Sequence, residues 1–279
     1  MSIANTLGKQ DVPRPAVPNS IFSRIGAVAF NTFREAVRDR VLYNLVIFAI
    51  LIVGASLLVG QISIGIERLV LVNLGLTAIN LFGIVIAIFI GIGLVSKEIE
   101  RRTLYTIIAA RPVRRWEFLV GKLLGLIGTL TVNAGLMSLG FFGALLYLAH
   151  GFHKADAYLL IAIYFILLQF VLITSLALLF STFSSPLLSS IFAFALFVIG
   201  TFAEDLRGFA AMSAGATRWV AQGLAYVVPN FAAFNVISQV AHEVPVSGRL
   251  VLFNTIYALV YAVAVTSAAV LIFERRNLK

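Results

Sequence analysis

Long stretches without a charged residue recur along this 279-residue chain. Three of them, 41–66, 69–96 and 123–149, contain 26, 28 and 27 residues, and a fourth at 250–273 contains 24. A hydrocarbon layer about 30 Å thick is crossed by about 20 helical residues, and a charge at its centre costs about 3 kcal/mol. Each stretch therefore predicts one membrane-spanning helix.

A longer uncharged segment of 47 residues occupies 157–203 and exceeds what one crossing needs. It is interrupted at 181–190 by a cluster of serines around Pro186, and proline with serine ends a helix and begins a turn. Two spans are therefore predicted here, and the total is six. The predicted fold class is an all-α integral membrane protein whose six-span domain covers 41–279, with both termini on one side.

The distribution of basic residues predicts which side that is. Of the 21 Lys and Arg residues, sixteen lie on the side of the termini and five on the opposite side. Cytoplasmic loops carry such an excess, so the termini are predicted to be cytoplasmic and the net charge of +9 indicates topology, not nucleic-acid binding. With 61% hydrophobic and 12% charged residues a soluble globular class is excluded, and the absence of cysteine excludes disulfides and thiolate chemistry.

The residues before the first span form two predicted segments. Residues 1–20 contain three prolines and predict a flexible cytoplasmic arm, whereas 21–40 shows helical periodicity with an apolar and a charged face. We expect this amphipathic helix to lie flat in the membrane interface, either as an anchor for the first span or as a docking surface as well. No cleaved signal peptide is expected, because the first apolar run begins only near Val41 and is too long.

The loop between spans two and three, 97–122, has the densest cluster of charges. Its first half continues span two as an amphipathic helix, and Pro112 then forces a turn. The following residues, 113–120, predict a two-turn helix that exposes both charged and aromatic side chains. These exposed side chains are Arg114, Arg115, Trp116, Glu117 and Phe118, with Lys122 at the membrane edge.

This loop resembles that of the membrane subunits of ABC-2 type transporters, which typically reads Glu-x-Glu-x-Gly-Thr-Leu, then Pro-Val-x-Arg, then Gly-Lys. The matching residues are Glu98, Glu100, Thr103, Leu104, Pro112, Val113, Arg115, Gly121 and Lys122, while Arg102 replaces the usual glycine. The resemblance implies an exporter permease of the bacterial cytoplasmic (inner) membrane, which forms a homodimer and binds two copies of a separate ATPase that holds ATP and Mg²⁺. It also implies a coupling helix that contacts the ATPase through Glu98, Glu100, Arg101, Pro112, Arg114, Arg115, Trp116, Glu117 and Lys122.

The outer segment 204–249 is predicted to form short helices that dip partly back into the membrane, because aromatic and aliphatic residues recur through it. By resemblance to the family it is a lid over an exit path, although it could simply plug the outer face. Its runs 229–235 and 242–246 resemble the branch of permeases for multi-copper enzyme maturation, including the nitrous-oxide-reductase accessory permease.

The chain lacks the residues that characterise several functional classes. It has no G-x-x-x-x-G-K-[ST] loop, so any ATP hydrolysis belongs to a partner chain, and no cofactor or metal is expected here. The span centres contain no ionisable residue, which disfavours an ion-coupled secondary transporter acting without an ATPase. That transporter is nevertheless the main competing hypothesis, and a membrane scaffold or enzyme is the third.

Amide side chains inside the spans could line a translocation path or form hydrogen bonds between helices. They are Asn73, Asn80, Asn133, Gln169 and Asn254. Small residues spaced four apart permit close helix approach and could mark a dimer contact. They occur at Gly121 and Gly125, at Ala258 and Ala262, and at Ala264 and Ala268.

Overall fold

The computed structural model describes residues 20–39, 47–52, 54–55, 58, 67–100, 114–149, 156–212 and 215–275, and the regular structure in these ranges is helical throughout. The helices are α1 Ile21–Asp39, α2 Glu67–Glu100, α3 Arg115–Ala149, α4 Asp156–Phe183, α5 Pro186–Thr201, α6 Ala203–Met212, α7 Gly215–Val227, α8 Ile237–Ala241 and α9 Gly248–Arg275, with a 3₁₀ turn at Ala232–Phe234.

Four helices, α2, α3, α4 and α9, are long and apolar enough to cross a membrane, and they coincide with predicted spans two, three, four and six. The fifth predicted span contains α5, which has 16 residues and bends by 60° at Phe202 into α6 at the start of the outer segment. Together α5 and α6 have the length and composition of a broken span or a re-entrant loop. The first predicted span, 41–66, lies largely outside the described residues. The total of six, like the arm at 1–20, therefore stays a prediction.

The break predicted at 181–190 is confirmed. Helix α4 ends at Phe183 and α5 begins at Pro186, with Ser185 in an extended conformation as its N-cap. Proline suits the first helical position because its fixed φ matches the helix and its missing N–H would have no intrahelical acceptor there.

The core forms around α4, the most buried of the four long helices, with 67% of its apolar window inside the protein against 28% for α9. Helices α2 and α4 run in the same direction, since Arg68 contacts Asp156 near their starts and Gly91 lies against Ala177 further along. The ring of Phe170 from α4 fills the space that a side chain at Gly83 would need. Tight packing of this kind requires glycine, because any Cβ there would overlap the ring.

Helix α1 packs lengthwise along the first turns of α3 in a groove that glycines create. A Cβ at Gly121 would lie 2.7 Å from Val28 Cβ, and a Cβ at Gly125 would lie 2.5 Å from the carbonyl oxygen of Ala29. The structure thus confirms an amphipathic helix at Ile21–Asp39 but aligns it with α3. The groove in α3 cannot be recognised from the pattern of α1 itself, and the placement of α1 in the membrane interface stays a prediction.

The same contacts correct the interpretation of the small-residue motifs. Gly121 and Gly125 are covered by α1 of the same chain, and Ala258 and Ala262 are buried inside the bundle. Since α1 already occupies the surface at Gly121 and Gly125, that motif does not provide a dimer contact in this structure, and a dimer contact at the alanines stays a prediction.

Candidate functional site

Four helices meet at one end of the bundle, which we call the α1 end: α1, the first turns of α3, and the last turns of α4 and α9. Phe118 and Leu119 of α3 pack there with Leu178 of α4 and Phe273 of α9. The loop 101–113 joins α2 to α3 at this end and lies outside the described residues. The residues predicted to bind the ATPase belong to this region.

An ion pair connects α1 to the first turn of α3. Arg24 donates from Nη2 to Glu117 Oε1 at 2.7 Å and from Nε to Oε2 at 3.0 Å, and the backbone N–H of Arg114 donates to the same carboxylate at 3.2 Å. Glu117 is fully buried, whereas the Arg24 side chain remains 17% exposed. Hydrogen bonding to Glu117 raises the pKa of Arg24 above its ordinary value, so the guanidinium stays charged.

A second polar contact joins α3 to the end of α9. Arg115 Nη1 donates to the carbonyl oxygens of Phe273 at 3.2 Å and Glu274 at 3.1 Å. The last carbonyls of a helix have no intrahelical donor and lie at the negative end of its dipole, so a guanidinium there satisfies both needs. The start of α3 is thereby bonded to α1 on one side and to α9 on the other.

Lys122 is buried one turn further along α3, with only 1% of its surface exposed. Its Nζ lies 5.5 Å from the centre of the Phe118 ring, within range of a cation–π interaction. Its aliphatic stem adds to the apolar packing behind the Arg24–Glu117 pair.

The structure corrects one prediction about the loop. The residues from Arg115 onward do not form a separate two-turn helix, because α3 runs without a break for 35 residues from Arg115 to Ala149. Glu117 and Phe118 are buried and not exposed, because α1 covers the carboxylate and α9 covers the ring.

The other predicted interface residues divide between described and undescribed parts. Arg114 is exposed, and Arg115 and Trp116 are half-buried. Glu98 and Glu100 lie in the last turns of α2, where the side chains are not described, and Arg101 and Pro112 lie outside the described residues.

At the opposite end of the bundle Arg68 joins three segments. It donates to Asp156 at 2.6 Å and lies 2.9 Å from the carboxylate of Glu243, which follows α8. The starts of α2 and α4 are thus connected with the outer segment. Glu243 takes a left-handed conformation, φ 59°, in the turn that presents its side chain.

The outer segment returns into the bundle at 228–236. Phe231 is completely buried, and its backbone N–H donates to Gly200 O at 3.0 Å. Its carbonyl accepts a hydrogen bond of 3.2 Å from Gln169 Nε2, and Gln169 lies at the middle of α4. A Cβ at Gly200 would lie 2.5 Å from the Phe231 ring, so the close approach requires glycine. The short helices expected in the outer segment are present as α6, α7 and α8, and its dipping into the membrane stays a prediction.

Helix α9 holds the same segment from the other side. Asn254 Nδ2 donates to Ala233 O at 2.7 Å, Tyr257 accepts the N–H of Asn230 at 3.0 Å, and Tyr261 donates to Val227 O at 2.9 Å. Irregular backbone inside a membrane protein needs such partners, because lipid supplies none.

The five amides predicted to line a path do not form one group. Gln169 and Asn254 converge on the returning segment, whereas Asn73 donates to Leu69 O of its own helix and Asn133 to Met137 of its own helix. The side-chain oxygens of Asn80, Asn133 and Gln169 are buried without a hydrogen-bond partner among the described residues. A lining role stays a prediction for all five.

Sequence reasoning missed Arg24, Arg68, Asp156 and Tyr257 as partners in these contacts. From the sequence, charges next to apolar helices indicate topology and carry no signal for a specific partner. The described residues contain no group of three His, Asp or Glu side chains that could hold a metal ion.

The family model described as ABC-2 family transporter protein matches residues 27–278. No curated protein matches the chain.

Proposed function

This chain belongs to the ABC-2 family of transporters, and we propose that it is the membrane-spanning permease subunit of an ATP-driven exporter in the bacterial cytoplasmic membrane. Two such subunits would form a homodimer, with both termini of each in the cytoplasm. Two copies of a separate ATPase subunit would hold ATP and Mg²⁺ and hydrolyse the nucleotide. In this arrangement the α1 end faces the cytoplasm and the outer segment faces the opposite compartment.

The observation that carries the proposal is the bonding of the first turn of α3 to α1 and α9. A loop that receives force from an ATPase moves the spans only if the adjoining helix is stiff and attached to its neighbours. Helices α2 and α3 contain 34 and 35 residues on either side of the loop. The Arg24–Glu117 pair and the Arg115 contacts with α9 would pass a displacement of the loop to two further helices.

Within the loop we assign the contact with the ATPase to Arg114 and to the residues before it, including Glu98, Glu100, Arg101 and Pro112. The buried positions of Glu117 and Lys122 indicate that these two act by holding α3 in place. Trp116 and Arg115 are half-buried and would connect the exposed residues that contact the ATPase with the buried residues that hold α3 in place.

Gln169 and Asn254 would support the lid at the exit side, since both donate to backbone carbonyls of the returning segment. The closer resemblance of 229–235 and 242–246 to permeases of multi-copper enzyme maturation stays a prediction. This prediction concerns the branch of the family. It does not imply that copper is the transported substrate.

The decisive experiment is purification of the chain with the proteins encoded beside it, followed by an ATPase assay in vesicles. A stoichiometric partner with a phosphate-binding loop, whose ATPase activity rises when this chain is present, would support the proposal. Transport by the purified chain alone, driven by an ion gradient without nucleotide, would contradict it and favour a secondary transporter.

A further inference from the structure

An apolar groove of about 590 Å³ opens on the surface of the bundle between α3 and α9. Leu123, Ala262 and Thr266 are buried and lie at its floor, while Val263 and Leu271 are exposed at its rim. Val171 of α4 contributes to the lining as well. The groove lies on the side of α3 that neither α1 nor the returning segment covers, and Trp116 at its inner end also belongs to the proposed coupling region.

The groove has the length of one half of a bilayer. On α3 its lining runs from Trp116 to Ile127, and on α9 from Leu259 to Leu271. These stretches of twelve and thirteen helical residues span about 18 Å, which is close to half of the hydrocarbon thickness of about 30 Å. Its inner end coincides with the α1 end, where the apolar stretches of both helices stop.

Basic side chains surround that inner end. Arg115 lies between the two helices, because it bonds to the carbonyls of Phe273 and Glu274. Arg114 precedes it and is exposed, and Arg275 is exposed one turn beyond Leu271 on the same stripe of α9. The acidic groups nearby are Glu274, which is exposed, and Glu117, which is buried and paired with Arg24. The mouth therefore has a positive excess.

We propose that this groove binds an anionic phospholipid from the leaflet at the α1 end, with one acyl chain between α3 and α9 and the phosphate beside Arg114, Arg115 and Arg275. An anionic phospholipid matches both parts of the site. Its acyl chain suits the apolar groove, and its phosphate suits the guanidinium groups at the mouth. A second copy of this chain, related by a two-fold axis along the membrane normal, would fit less well, because it would bring its own three arginines to the same depth.

Trp116 provides a probe inside the groove. The chain has two tryptophans, and Trp219→Phe removes the other one, which is exposed on α7. Bromine atoms on a lipid chain quench tryptophan on contact, so quenching of Trp116 measures which lipid occupies the groove. The experiment compares brominated phosphatidylglycerol with brominated phosphatidylcholine at equal mole fractions in vesicles that contain the Trp219→Phe protein.

We expect phosphatidylglycerol to occupy the groove at least fivefold more strongly than phosphatidylcholine. Arg114→Gln and Arg275→Gln should each lower this preference by about fivefold, as expected for one basic residue at the membrane surface. If the wild-type preference is itself fivefold, either substitution removes it. Arg249→Gln, at the other end of α9, serves as the charge control and should leave the preference unchanged.

A matched pair of substitutions tests the groove itself. Val263 lines it and is 65% exposed, whereas Val260 is 64% exposed on the same helix but does not line it. Val263→Phe should abolish the preference, and Val260→Phe should retain it. Both positions are exposed, so neither substitution disturbs the core, and size-exclusion profiles verify the fold.

Equal quenching by the two lipids in the Trp219→Phe protein would overturn the proposal, as would an unchanged preference in Val263→Phe. Loss of the preference in both phenylalanine variants would indicate general lipid contact and would overturn it too. Protection of Trp116 from both lipids in dimers would identify a second copy as the occupant. None of these results depends on ATPase coupling, so failure here leaves the proposed function standing.

Discussion

The guanidinium of Arg24 and the carboxylate of Glu117 form a two-bonded ion pair, 2.7 and 3.0 Å long, between helices that are 93 residues apart in sequence. Water reaches the arginine but not the glutamate. Removal of the arginine and removal of the glutamate should therefore have unequal effects on stability. A lone buried carboxylate loses its solvation without compensation, whereas a lone arginine at this site can turn toward water.

Arg24→Leu should lower stability more than a neutral substitution of its partner does, because it leaves the Glu117 carboxylate with only the Arg114 N–H as a donor. Glu117→Gln should cost only about 1 kcal/mol, because a neutral amide can still accept a hydrogen bond from Arg24. The measurement is the melting temperature of the purified protein in detergent, with Arg34→Leu, exposed on the same helix, as the control.

The double variant Arg24→Leu/Glu117→Leu distinguishes a buried charge from lost packing. Replacing both partners with apolar residues removes the uncompensated charge, so the double variant should melt above Arg24→Leu. A double variant that melts below Arg24→Leu would refute this account of the pair.

Gly125→Ala and Gly135→Ala should change stability in opposite directions. At Gly125 the added Cβ would lie 2.5 Å from the backbone oxygen of Ala29, so α1 must shift, at a cost of about 1 to 3 kcal/mol. At Gly135, ten residues further along α3, nothing lies within 4 Å and alanine should stabilise the helix by up to about 1 kcal/mol. Thermal unfolding of the two variants side by side tests this, and equal shifts would mean that α1 does not occupy the groove.

Reversing the charge at the exposed residue Arg114 should remove most of the stimulation of the partner ATPase without preventing membrane insertion. The combined reversal of Arg114 and Arg115, or replacement of Pro112, should abolish it. Reversal of Arg115 should also lower the melting temperature, because its bonds to the end of α9 are lost. Stimulation is measured in vesicles that contain both subunits.

The control for this prediction is Arg218→Glu, an exposed charge reversal on α7 in the outer segment. It should leave stimulation at the wild-type value. Wild-type stimulation in the combined Arg114 and Arg115 reversal would contradict the assignment of the loop to the ATPase contact.

Gln169→Leu and Asn254→Leu should loosen the returning segment. Each substitution leaves a backbone carbonyl, of Phe231 or of Ala233, without its donor inside the bundle. Loss of such a bond costs about 1 to 3 kcal/mol, so amide exchange at 228–236 should accelerate by about tenfold or more. Hydrogen exchange followed by mass spectrometry measures this rate.

Asn73→Leu is the matched control, because the Asn73 amide donates only to Leu69 O within α2. Exchange at 228–236 should keep its wild-type rate in that variant. Equal acceleration in all three variants would indicate a general loss of stability and not a specific support of this segment.

The sequence predicted the elements that depend on local composition. Four of the six predicted spans coincide with helices long and apolar enough to cross a membrane, and Pro186 with its serines determines the break that the structure places between α4 and α5. The recurring aromatic and aliphatic residues of 204–249 likewise predicted short helices, and α6, α7 and α8 lie there. These predictions hold because hydrocarbon penalises charge and free backbone wherever they occur along the chain.

Only the tertiary structure decided which residues meet. Glu117 looked like an exposed charge, but Arg24 pairs with it from 93 residues away, and Gln169 finds its acceptor 62 residues away in Phe231. Gly121 and Gly125 form a small-residue motif that suggests a dimer contact, but in the structure α1 of the same chain lies in their groove. No local pattern encodes such partners, because the identity of a contact depends on which helix faces packing brings together, and one charged or small residue is compatible with many faces.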